Sequence, residues 1–325
     1  MIITRTPFRM SYVGGGTDIR SYYQNRKGAV LSTSINKYMY ITLHERFDKG
    51  IRISYSQTEE VASCEDIQHP LVREALRMFR IYDGVEITSA ADIPSSGSGL
   101  GSSSSYTVGL LSALHEYKSL ESSPNELAKL ACKIEIDLCK EPNGKQDQFA
   151  AAFGGLNLFE FLPDESVNII PIKCDPNFKN LIDESTLIFY TGLTRSAGSV
   201  LKAQDENNKS IQNIKAQECM VDLVYEFKSA IESGNLLHMA EILKENWSLK
   251  KTLASGISND KIDSMYQAGI NAGALAGKLL GAGAGGFLMF FAHQEDHAAI
   301  ELALGDYKRC YFSMEEDGTK VIYND

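Results

Sequence analysis

A glycine- and serine-rich tract at residues 93–105, IPSSGSGLGSSSS, most constrains how this chain can fold. Its composition alone would suit a flexible linker, but it runs directly into YTVGLLSALHEY, whose apolar residues recur at helical spacing. Glycines let backbone amides approach an anion closely, and a helix N-terminus adds unpaired N–H groups and the positive end of the helix dipole. The tract therefore predicts a phosphate-binding loop, with the linker as the less favoured alternative.

The tract lacks the two best-known phosphate-binding fingerprints. It contains no G-x-x-x-x-G-K-[ST] sequence, and the spacing of Gly97, Gly99 and Gly101 does not give G-x-G-x-x-G. Its serines add a second expectation, because a hydroxyl in the first turn of the helix can bind the magnesium ion that accompanies a nucleoside triphosphate.

Two further glycine-rich segments lie near the ends of the chain. The first, TPFRMSYVGGGTD at residues 6–18, places Arg9 on a predicted strand and Asp18 just after a three-glycine turn. The second, GKLLGAGAGGFLMFF at residues 277–291, joins a predicted helix to a hydrophobic strand. Its glycines allow close backbone approaches, although a tight helix-to-strand turn would need them as well.

Two acidic side chains are candidates for catalysis or metal binding. Ser123 and Glu126 predict the start of a helix through a capping box, and Glu135 lies at the margin of the apolar stripe of that helix. Asp147 lies where the loop NGKQDQ enters a short alanine-rich helix. A solvated Glu135 and an N-capping Asp147 are the structural alternatives.

The combination of these residues points to phosphoryl transfer. That reaction needs a phosphate cradle, a metal held by a hydroxyl and a carboxylate, a carboxylate near the acceptor hydroxyl, and a cation against the developing charge. Ser103 and Glu135 suit the metal, Asp147 the acceptor, and Arg9 the charge. A serine hydrolase is disfavoured, because the chain has no G-x-S-x-G elbow in this loop and no histidine placed as its base.

The chain of 325 residues carries a formal net charge of −10, which argues against nucleic-acid and membrane partners, because both recruit clustered positive charge. Residues 1–58 hold nine basic and three acidic side chains, so this segment is +6 and the remainder is −16. The surplus predicts a site for an anionic small molecule, with a chance fluctuation on solvated strands as the alternative.

Cysteine spacing and hydropathy bear on the compartment. The six cysteines include no C-x-x-C pair, and the histidines are too scattered to complete a zinc site, so we expect reduced thiols. The N-terminus has no long apolar segment, and the longest apolar stretch, residues 279–292, is too short and too rich in glycine to cross a bilayer. We expect a soluble cytoplasmic protein.

Secondary-structure signals divide the chain near residue 175. The first ninety residues contain β-branched and aromatic runs, among them 29–35 and 38–46, and one helix near 69–80. Later segments predict helices at 203–233, 235–253 and 258–276, with strands between and after them. The pattern predicts an α+β fold with an N-terminal domain at 1–175 and a C-terminal domain at 176–325.

The three glycine-rich motifs, in this order, resemble those of the GHMP small-molecule kinases. They are TPFRMSYVGGGTD, IPSSGSGLGSSSS and KLLGAGAGGF, and they span residues 6–287. The resemblance implies an N-terminal domain like the second domain of ribosomal protein S5, a C-terminal ferredoxin-like domain, and a cleft where ATP and the second substrate meet. It also implies ATP as co-substrate and Mg²⁺ as cofactor.

The resemblance further implies roles for individual residues. Asp147 would face the acceptor hydroxyl as a base or an orienting group, and Arg9 would lie close to the transferred phosphoryl group. Ser103 and Glu135 would hold magnesium. The implied nucleotide-binding residues are Pro94, Ser96, Gly97, Ser98, Gly99, Leu100, Gly101, Ser102, Ser103 and Ser104. The implied substrate-binding residues are Arg9, Gly15, Gly16, Thr17, Asp18, Asp147, Gly283 and Ala284.

Within the family, the segments GGGTD, AVLSTSINKY and YTGLTRSAGSVL are most similar to members that phosphorylate the anomeric C1 hydroxyl of D-glycero-D-manno-heptose 7-phosphate. Galactokinases usually carry a Glu-His pair where this chain has Thr17 and Asp18, which argues against galactose. The 7-phosphate is expected to bind basic residues of segment 1–58 and Arg195. A fucokinase- or galactokinase-like sugar 1-kinase and a catalytically silent sugar- and nucleotide-binding regulator remain alternatives.

Overall fold

The computed structural model describes residues 1–94, 97–193, 197–208 and 210–325. The strands are β1 (Ile2–Val13), β2 (Gly28–Glu45), β3 (Ile51–Ser54), β4 (Thr58–Val61), β5 (Val85–Ala91), β6 (Leu156–Phe161), β7 (Val167–Pro171), β8 (Thr186–Tyr190), β9 (Ala276–Leu279), β10 (Phe287–Phe291), β11 (Met314–Glu315) and β12 (Lys320–Asn324). The helices are α1 (Arg20–Tyr23), α2 (Pro70–Met78), α3 (Ser102–Tyr117), α4 (Pro124–Cys132), α5 (Gln146–Phe153), α6 (Pro176–Glu184), α7 (Ala197–Asn207), α8 (Ile211–Glu232), α9 (Leu236–Thr252), α10 (Asp260–Asn271) and α11 (His297–Ala303). Over these residues, no helix has both the length and the apolar character needed to span a membrane.

The first sheet has the strand order β12, β1, β2, β5, β3 and β4, and β6 and β11 also pair with β2. The runs predicted as separate strands at 29–35 and 38–46 form one continuous strand, β2. This strand pairs along one edge with β1 and along the other with β6 and then β5. Its length therefore comes from neighbours on both sides, which local propensity does not encode.

The end of the chain returns to the first sheet. β12 pairs antiparallel with β1, and β11 pairs antiparallel with β2. The division at residue 175 stays a prediction, and these two strands, which it assigns to the C-terminal domain, extend the sheet that begins the N-terminal one.

Helix α3, which follows the glycine- and serine-rich tract as predicted, lies in the core against β1 and β2. Glycine permits the close approach, because a Cβ at Gly109 would lie only 2.7 Å from Thr6 Oγ1. The first turn is held in place where the Ser105 hydroxyl donates to Pro7 O at 2.8 Å. The start of α3 is therefore fixed beside β1, where Arg9 lies.

Helix α4 begins with the predicted capping box. Ser123 Oγ accepts from Glu126 N at 3.2 Å, and Glu126 Oε2 accepts from Ser123 N at 2.9 Å. α4 continues into a π-helical turn at Lys133–Leu138. A π-turn is wider than an α-turn, so it shifts the direction in which following side chains point. Glu135 is fully buried instead of lying at the margin of the apolar stripe.

The second sheet has the antiparallel strand order β8, β10 and β9. Side chains alternate across a strand, so β9 turns Leu279 towards a core that contains Trp247 and Phe290 and turns Lys278 towards β1. The predicted α+β composition is confirmed. The helices beside the second sheet contact the first sheet, with α8 packed against β1 and β2 and α9 against β1.

Two helix predictions in this half differ from the structure. The helix predicted at 203–233 is two helices, and Ser210 caps the second, its hydroxyl accepting from Asn213 N at 3.1 Å. The helix predicted at 258–276 ends at Asn271, and strand β9 begins at Ala276. The first segment contains the polar run DENNKS at residues 205–210, which interrupts its apolar pattern. In the second segment apolar residues continue into β9, and an apolar run alone does not distinguish a buried helix from a buried strand.

Candidate active site

A cavity of about 550 Å³ lies where the three glycine-rich motifs meet. Its walls come from β1 and the glycine turn after it, residues 97–104, the loop before α5, helix α9, and β9 with the loop that follows. These segments are far apart in the sequence, and the fold brings them to one place.

Two of the motifs pack backbone against backbone. A Cβ at Gly99 would lie 2.3 Å from Leu280 O, and a Cβ at Gly281 would lie 2.5 Å from Gly99 Cα. Both glycines also have positive φ, +74° and +79°, which side chains disfavour. Glycine is therefore required on both sides of this contact, and the contact sets the position of the predicted phosphate loop.

The predicted phosphate loop ends in the N-terminus of α3. Gly101 is the N-cap residue, with φ +75°, and Ser102 begins the helix. The N–H groups of a first helical turn have no intrahelical acceptor, and the helix dipole is positive there. The members of the loop that line the cavity are Gly97, Ser98, Gly99, Gly101, Ser102, Ser103 and Ser104. A phosphate group at this wall would be stabilised by both effects.

Arg9 and Asp147, which both line the cavity, form an ion pair. Arg9 Nε and Nη2 donate to Asp147 Oδ1 and Oδ2, each at 2.8 Å, and Arg9 Nη1 donates to Gly99 O at 2.7 Å. Asp147 lies in the first turn of α5, but its carboxylate binds Arg9 and does not cap the helix. The N-cap alternative for Asp147 is therefore wrong.

Asp18 closes the glycine turn beside this ion pair. Its Oδ1 accepts from Gly16 N at 2.9 Å, and its Oδ2 accepts from Gln146 N at 3.3 Å. Burial, and then the neighbouring Asp147 carboxylate, raise the pKa of Asp18. Asp18 and Asp147 both line the cavity, so the fold places two carboxylates at the same end of α5.

Glu135 is buried beside the first turn of α3, next to the predicted phosphate loop. Its Oε2 accepts from Ser104 Oγ at 2.9 Å, Asn143 Nδ2 at 3.2 Å and Gln148 Nε2 at 2.6 Å. Burial raises the pKa of Glu135 to about 7. The structure thus brings Ser104, and not Ser103, into contact with this carboxylate, while Ser103 is exposed at the cavity wall.

The residues around Glu135 fit a magnesium ion. Glu135 Oε1 is buried and has no hydrogen-bond partner, which leaves one carboxylate oxygen for a cation. Carboxylate and hydroxyl oxygens are the hard donors that Mg²⁺ prefers, usually with one or two carboxylates and the phosphates of a substrate. Within the described ranges, no group of three or more His, Cys, Asp or Glu side chains could hold a metal ion without such help.

Two buried lysines that line the cavity, Lys250 and Lys278, are not among the predicted site residues. Lys250 Nζ donates to Gly15 O and to Gln204 Oε1, each at 3.0 Å. Lys278 Nζ donates to Ser11 O at 2.8 Å and to Tyr12 O at 2.9 Å. The signal for Lys250 was present, because it continues the apolar stripe of α9 at helical spacing, where a lysine is unusual.

The basic surplus of residues 1–58 does not gather at the cavity. Arg9 lines it, but Arg20, Arg26, Lys27 and Arg46 form ion pairs with acidic side chains outside it. The expectation that this segment supplies the anion site is therefore wrong apart from Arg9, because most of its other cations pair with acidic side chains away from the cavity. The other Lys or Arg side chains that line the cavity in the described part of the chain are on α9 and β9. Arg195 lies outside the described residues.

Several residues of the predicted site support the walls instead of lining the cavity. The Thr17 hydroxyl lies 2.9 Å from both Gly14 O and Ala29 O and shares its one proton between these two acceptors. Ala284 is buried and its N–H donates to Ile257 O at 3.1 Å. Gly283 packs against Ile257 in the same loop. Among the remaining predicted residues, Leu100 is buried, Pro94 is exposed away from the lining, and Ser96 lies outside the described residues.

Two family models match the chain. The model of the GHMP kinases N terminal domain matches residues 70–155, and the model of the GHMP kinases C terminal region matches residues 227–309. Among curated relatives, the D-glycero-alpha-D-manno-heptose 7-phosphate kinase of Campylobacter jejuni subsp. jejuni serotype O:2 is 32% identical over 302 residues, which cover 89% of each chain. The galactokinase of Thermococcus kodakarensis is 27% identical over 318 residues, which cover 86% of each chain.

Solved structures agree with these matches. The crystal structure of a D-glycero-D-manno-heptose 1-phosphate kinase from Bacteriodes thetaiotaomicron superposes with a TM-score of 0.82 at 26% identity, over the full length of both chains. That of a putative sugar kinase from Campylobacter jejuni superposes with a TM-score of 0.79 at 30% identity, over 98% of this chain and 97% of the other. The chain therefore has the two-domain GHMP kinase fold, belongs to the GHMP kinase family and is an ATP-dependent sugar kinase.

Proposed function

We propose that this kinase transfers the γ-phosphoryl group of ATP to the anomeric C1 hydroxyl of D-glycero-D-manno-heptose 7-phosphate, giving the 1,7-bisphosphate. The ion pair between Arg9 and Asp147 carries the proposal, because it joins a carboxylate on the cavity wall to the phosphate loop through Gly99 O. The Campylobacter jejuni heptose 7-phosphate kinase, at 32% identity, supports the choice of acceptor.

The triphosphate of ATP would bind along residues 97–104 and the start of α3, for the electrostatic reasons given above. The adenine ring would lie against an aromatic wall of the same cavity. There the His69 ring stacks on Tyr106 with centroids 5.2 Å apart, and Tyr55 meets His69 edge-on at 4.7 Å. Burial lowers the pKa of His69, which favours the neutral ring and a flat, uncharged surface suited to a purine.

Magnesium would be held by Glu135 and by the hydroxyls of Ser103 and Ser104. When bound, the ion would neutralise part of the negative charge on the β- and γ-phosphates. The unpartnered Oε1 of Glu135 supports this role. Asn143 and Gln148 hold the other carboxylate oxygen and orient the group.

In the proposed reaction the C1 oxygen forms a bond to the γ-phosphorus while the bond from that phosphorus to the β–γ bridging oxygen breaks, and ADP leaves. A carboxylate has about four acceptor positions, of which Arg9 occupies two on Asp147, so the others can accept from the C1 hydroxyl. Asp147 orients that hydroxyl and, as the general base, accepts its proton. Arg9 stabilises charge on the transferred phosphoryl group, and Asp18 binds sugar hydroxyls.

ATP consumption with a panel of acceptors tests the proposal. The panel contains the heptose 7-phosphate, the heptose 1-phosphate, the unphosphorylated heptose, fucose, galactose and mevalonate. We expect the highest kcat/KM with the 7-phosphate and a 1,7-bisphosphate product identified by phosphorus NMR. A higher kcat/KM with fucose or galactose would favour the alternative sugar 1-kinases, and no consumption with any acceptor would favour a silent regulator.

A further inference from the structure

Lys250 is a buried lysine that lines the cavity, and among the described residues it has no carboxylate within ion-pair distance, although the charge of Asp18 acts on it from further away. Its side chain is on α9 and the residue is 6% exposed. Its two hydrogen bonds go to neutral oxygens, Gly15 O and Gln204 Oε1, and in the described part of the chain it forms no ion pair with a carboxylate. An ammonium group has three donors, so one remains for a ligand in the cavity.

Lys278 repeats this arrangement on β9. The residue is 5% exposed, lines the same cavity, and donates to two backbone carbonyls of β1, Ser11 O and Tyr12 O. Burial lowers the pKa of both lysines. The charge of Asp18 partly offsets this for Lys250, whereas the charges of Lys250 and Arg9 lower the pKa of Lys278 further. Three cations therefore lie close enough to disfavour one another, and Arg9 alone of the three has a carboxylate partner within the described residues.

Buried charges are normally paired, because an unpaired charge loses its hydration without compensation. With a neutral sugar hydroxyl at this place, Asp18 would be the one acidic side chain of the described residues acting on Lys250, whereas a phosphate dianion would bring negative charge beside both lysines. The phosphates of ATP have their own binding loop at residues 97–104, while Lys250 lies against the glycine turn that carries Asp18. We propose that Lys250, with Lys278 beside it, binds a phosphate group already present on the acceptor sugar; this inference rests on the proposed function.

A purely structural role for Lys250 is the competing explanation. The glycine turn is held by several C-terminal helices, since Gly14 N donates to Asn246 Oδ1 at 3.1 Å and Gln217 Nε2 donates to Gly16 O at 3.2 Å. A lysine that only supports this turn would affect every acceptor equally. A lysine that binds the acceptor's phosphate would affect phosphorylated acceptors selectively.

The test compares kcat/KM for the heptose 7-phosphate and the unphosphorylated heptose in four proteins. These are the wild type, Lys250→Met, Lys250→Arg and the control Lys251→Met. Lys251 is the next residue of α9, but its ammonium faces outwards, 3.5 Å from Asp263 Oδ1. We expect Lys250→Met to lower kcat/KM for the 7-phosphate by about 10- to 100-fold and to change that for the unphosphorylated sugar less than about threefold. Lys250→Arg should recover part of the loss, and Lys251→Met should behave as wild type.

An equal loss on both sugars in Lys250→Met would overturn the inference while leaving the proposed function intact. If the wild-type enzyme had no higher kcat/KM for the heptose 7-phosphate than for the unphosphorylated heptose, the proposed function would be overturned instead. For that case, binding of inorganic phosphate is measured by calorimetry with ADP and magnesium occupying the nucleotide site. We expect phosphate to bind the wild type and Lys251→Met and to bind Lys250→Met at least about tenfold more weakly. Equal phosphate binding by all three, at equal unfolding temperatures, would refute a phosphate site at Lys250.

Discussion

Arg9 holds Asp147 through two parallel hydrogen bonds of 2.8 Å while its third nitrogen donates to Gly99 O at 2.7 Å. Paired hydrogen bonds between a guanidinium and a carboxylate fix direction as well as distance. One side chain therefore sets the position of the predicted base relative to the predicted phosphate loop. The mechanism proposed above depends on this relationship.

Asp147→Asn should lower kcat by about 10²- to 10⁴-fold, because an amide cannot take the proton of the acceptor hydroxyl. ATP binding should change little, since Asp147 does not belong to the phosphate loop. Steady-state kinetics and calorimetric binding of a non-hydrolysable ATP analogue measure the two effects. Turnover close to the wild-type value would remove Asp147 from its assigned role.

Arg9→Lys should lower kcat by about 10²-fold although the charge is kept, because lysine cannot form the two-point contact with Asp147 and reach Gly99 O as well. Arg5→Lys is the matched control on the same strand. Arg5 lies 4.4 Å over the Tyr38 ring and is not part of the cavity wall. If Arg9→Lys and Arg5→Lys both kept the wild-type kcat, the two-point contact between Arg9 and Asp147 would have no catalytic importance.

Gly99→Ala should raise KM for ATP and destabilise the fold by roughly 2–4 kcal/mol, because the new methyl group would meet Leu280 O as well as positive φ. Gly84→Ala separates the two causes. Gly84 has φ +72°, close to the +74° of Gly99, but a Cβ there would meet nothing within 4 Å. The control should lose only about 1 kcal/mol in urea unfolding and keep its KM for ATP. If Gly99→Ala and Gly84→Ala lost the same free energy of unfolding, the close contact between Gly99 and Leu280 would contribute nothing to stability.

Glu135→Gln should change how stability depends on pH in metal-free buffer. Burial raises the pKa of Glu135 to about 7, so between about pH 4.5 and 7 the folded state keeps a proton that the unfolded state has released. The free energy of unfolding of the wild type should therefore fall by roughly 3 kcal/mol relative to the variant as pH rises through this range. Glu121→Gln, at an exposed position, serves as the control. If the free energy of unfolding of the wild type and of Glu135→Gln changed in parallel with pH, a raised pKa of Glu135 would be contradicted.

The same Glu135→Gln variant should need more magnesium for activity at pH 8, because the amide removes the anionic ligand that the ion requires. The measurement is the magnesium concentration at half-maximal rate, with ATP saturating. Glu121→Gln should match the wild type. An unchanged magnesium requirement in Glu135→Gln would exclude this carboxylate from metal binding.

Lys250→Met should remove a pH effect of the opposite sign. Burial lowers the pKa of Lys250 to about 8, and the groups that face it are Asp18 on the glycine turn and Lys278 on β9. Between about pH 8 and 10.5 the unfolded state keeps a proton that the folded state has lost, so stability rises with pH. We expect the wild type to gain roughly 3 kcal/mol relative to Lys250→Met over this range in urea titrations. A constant difference across the range would contradict the burial of this lysine.

Local features of the site followed from the sequence. The capping box of Ser123 and Glu126, the helix after the glycine- and serine-rich tract, and the meeting of the three motifs at one cavity are all present in the structure. Turn chemistry and helix capping involve residues a few positions apart, which is why a pattern can reveal them. The π-helical turn that buries Glu135 was not predicted, because the apolar spacing continues through it unchanged.

The chemistry available to this protein is readable from the order of its residues: glycines where the backbone must approach closely, hydroxyls at a helix start, and the acidic and basic side chains of a predicted phosphoryl-transfer site. Which cations face the cavity depends instead on long-range packing. Lys250 contacts Gly15 across 235 positions, and Lys278 contacts Ser11 across 267. Most cations of the positive segment 1–58 lie away from the cavity, and a generally acidic C-terminal half supplies two of the cavity's cations. The physical reason is that the direction of a side chain depends on how its helix or strand packs against distant elements, which local composition does not encode.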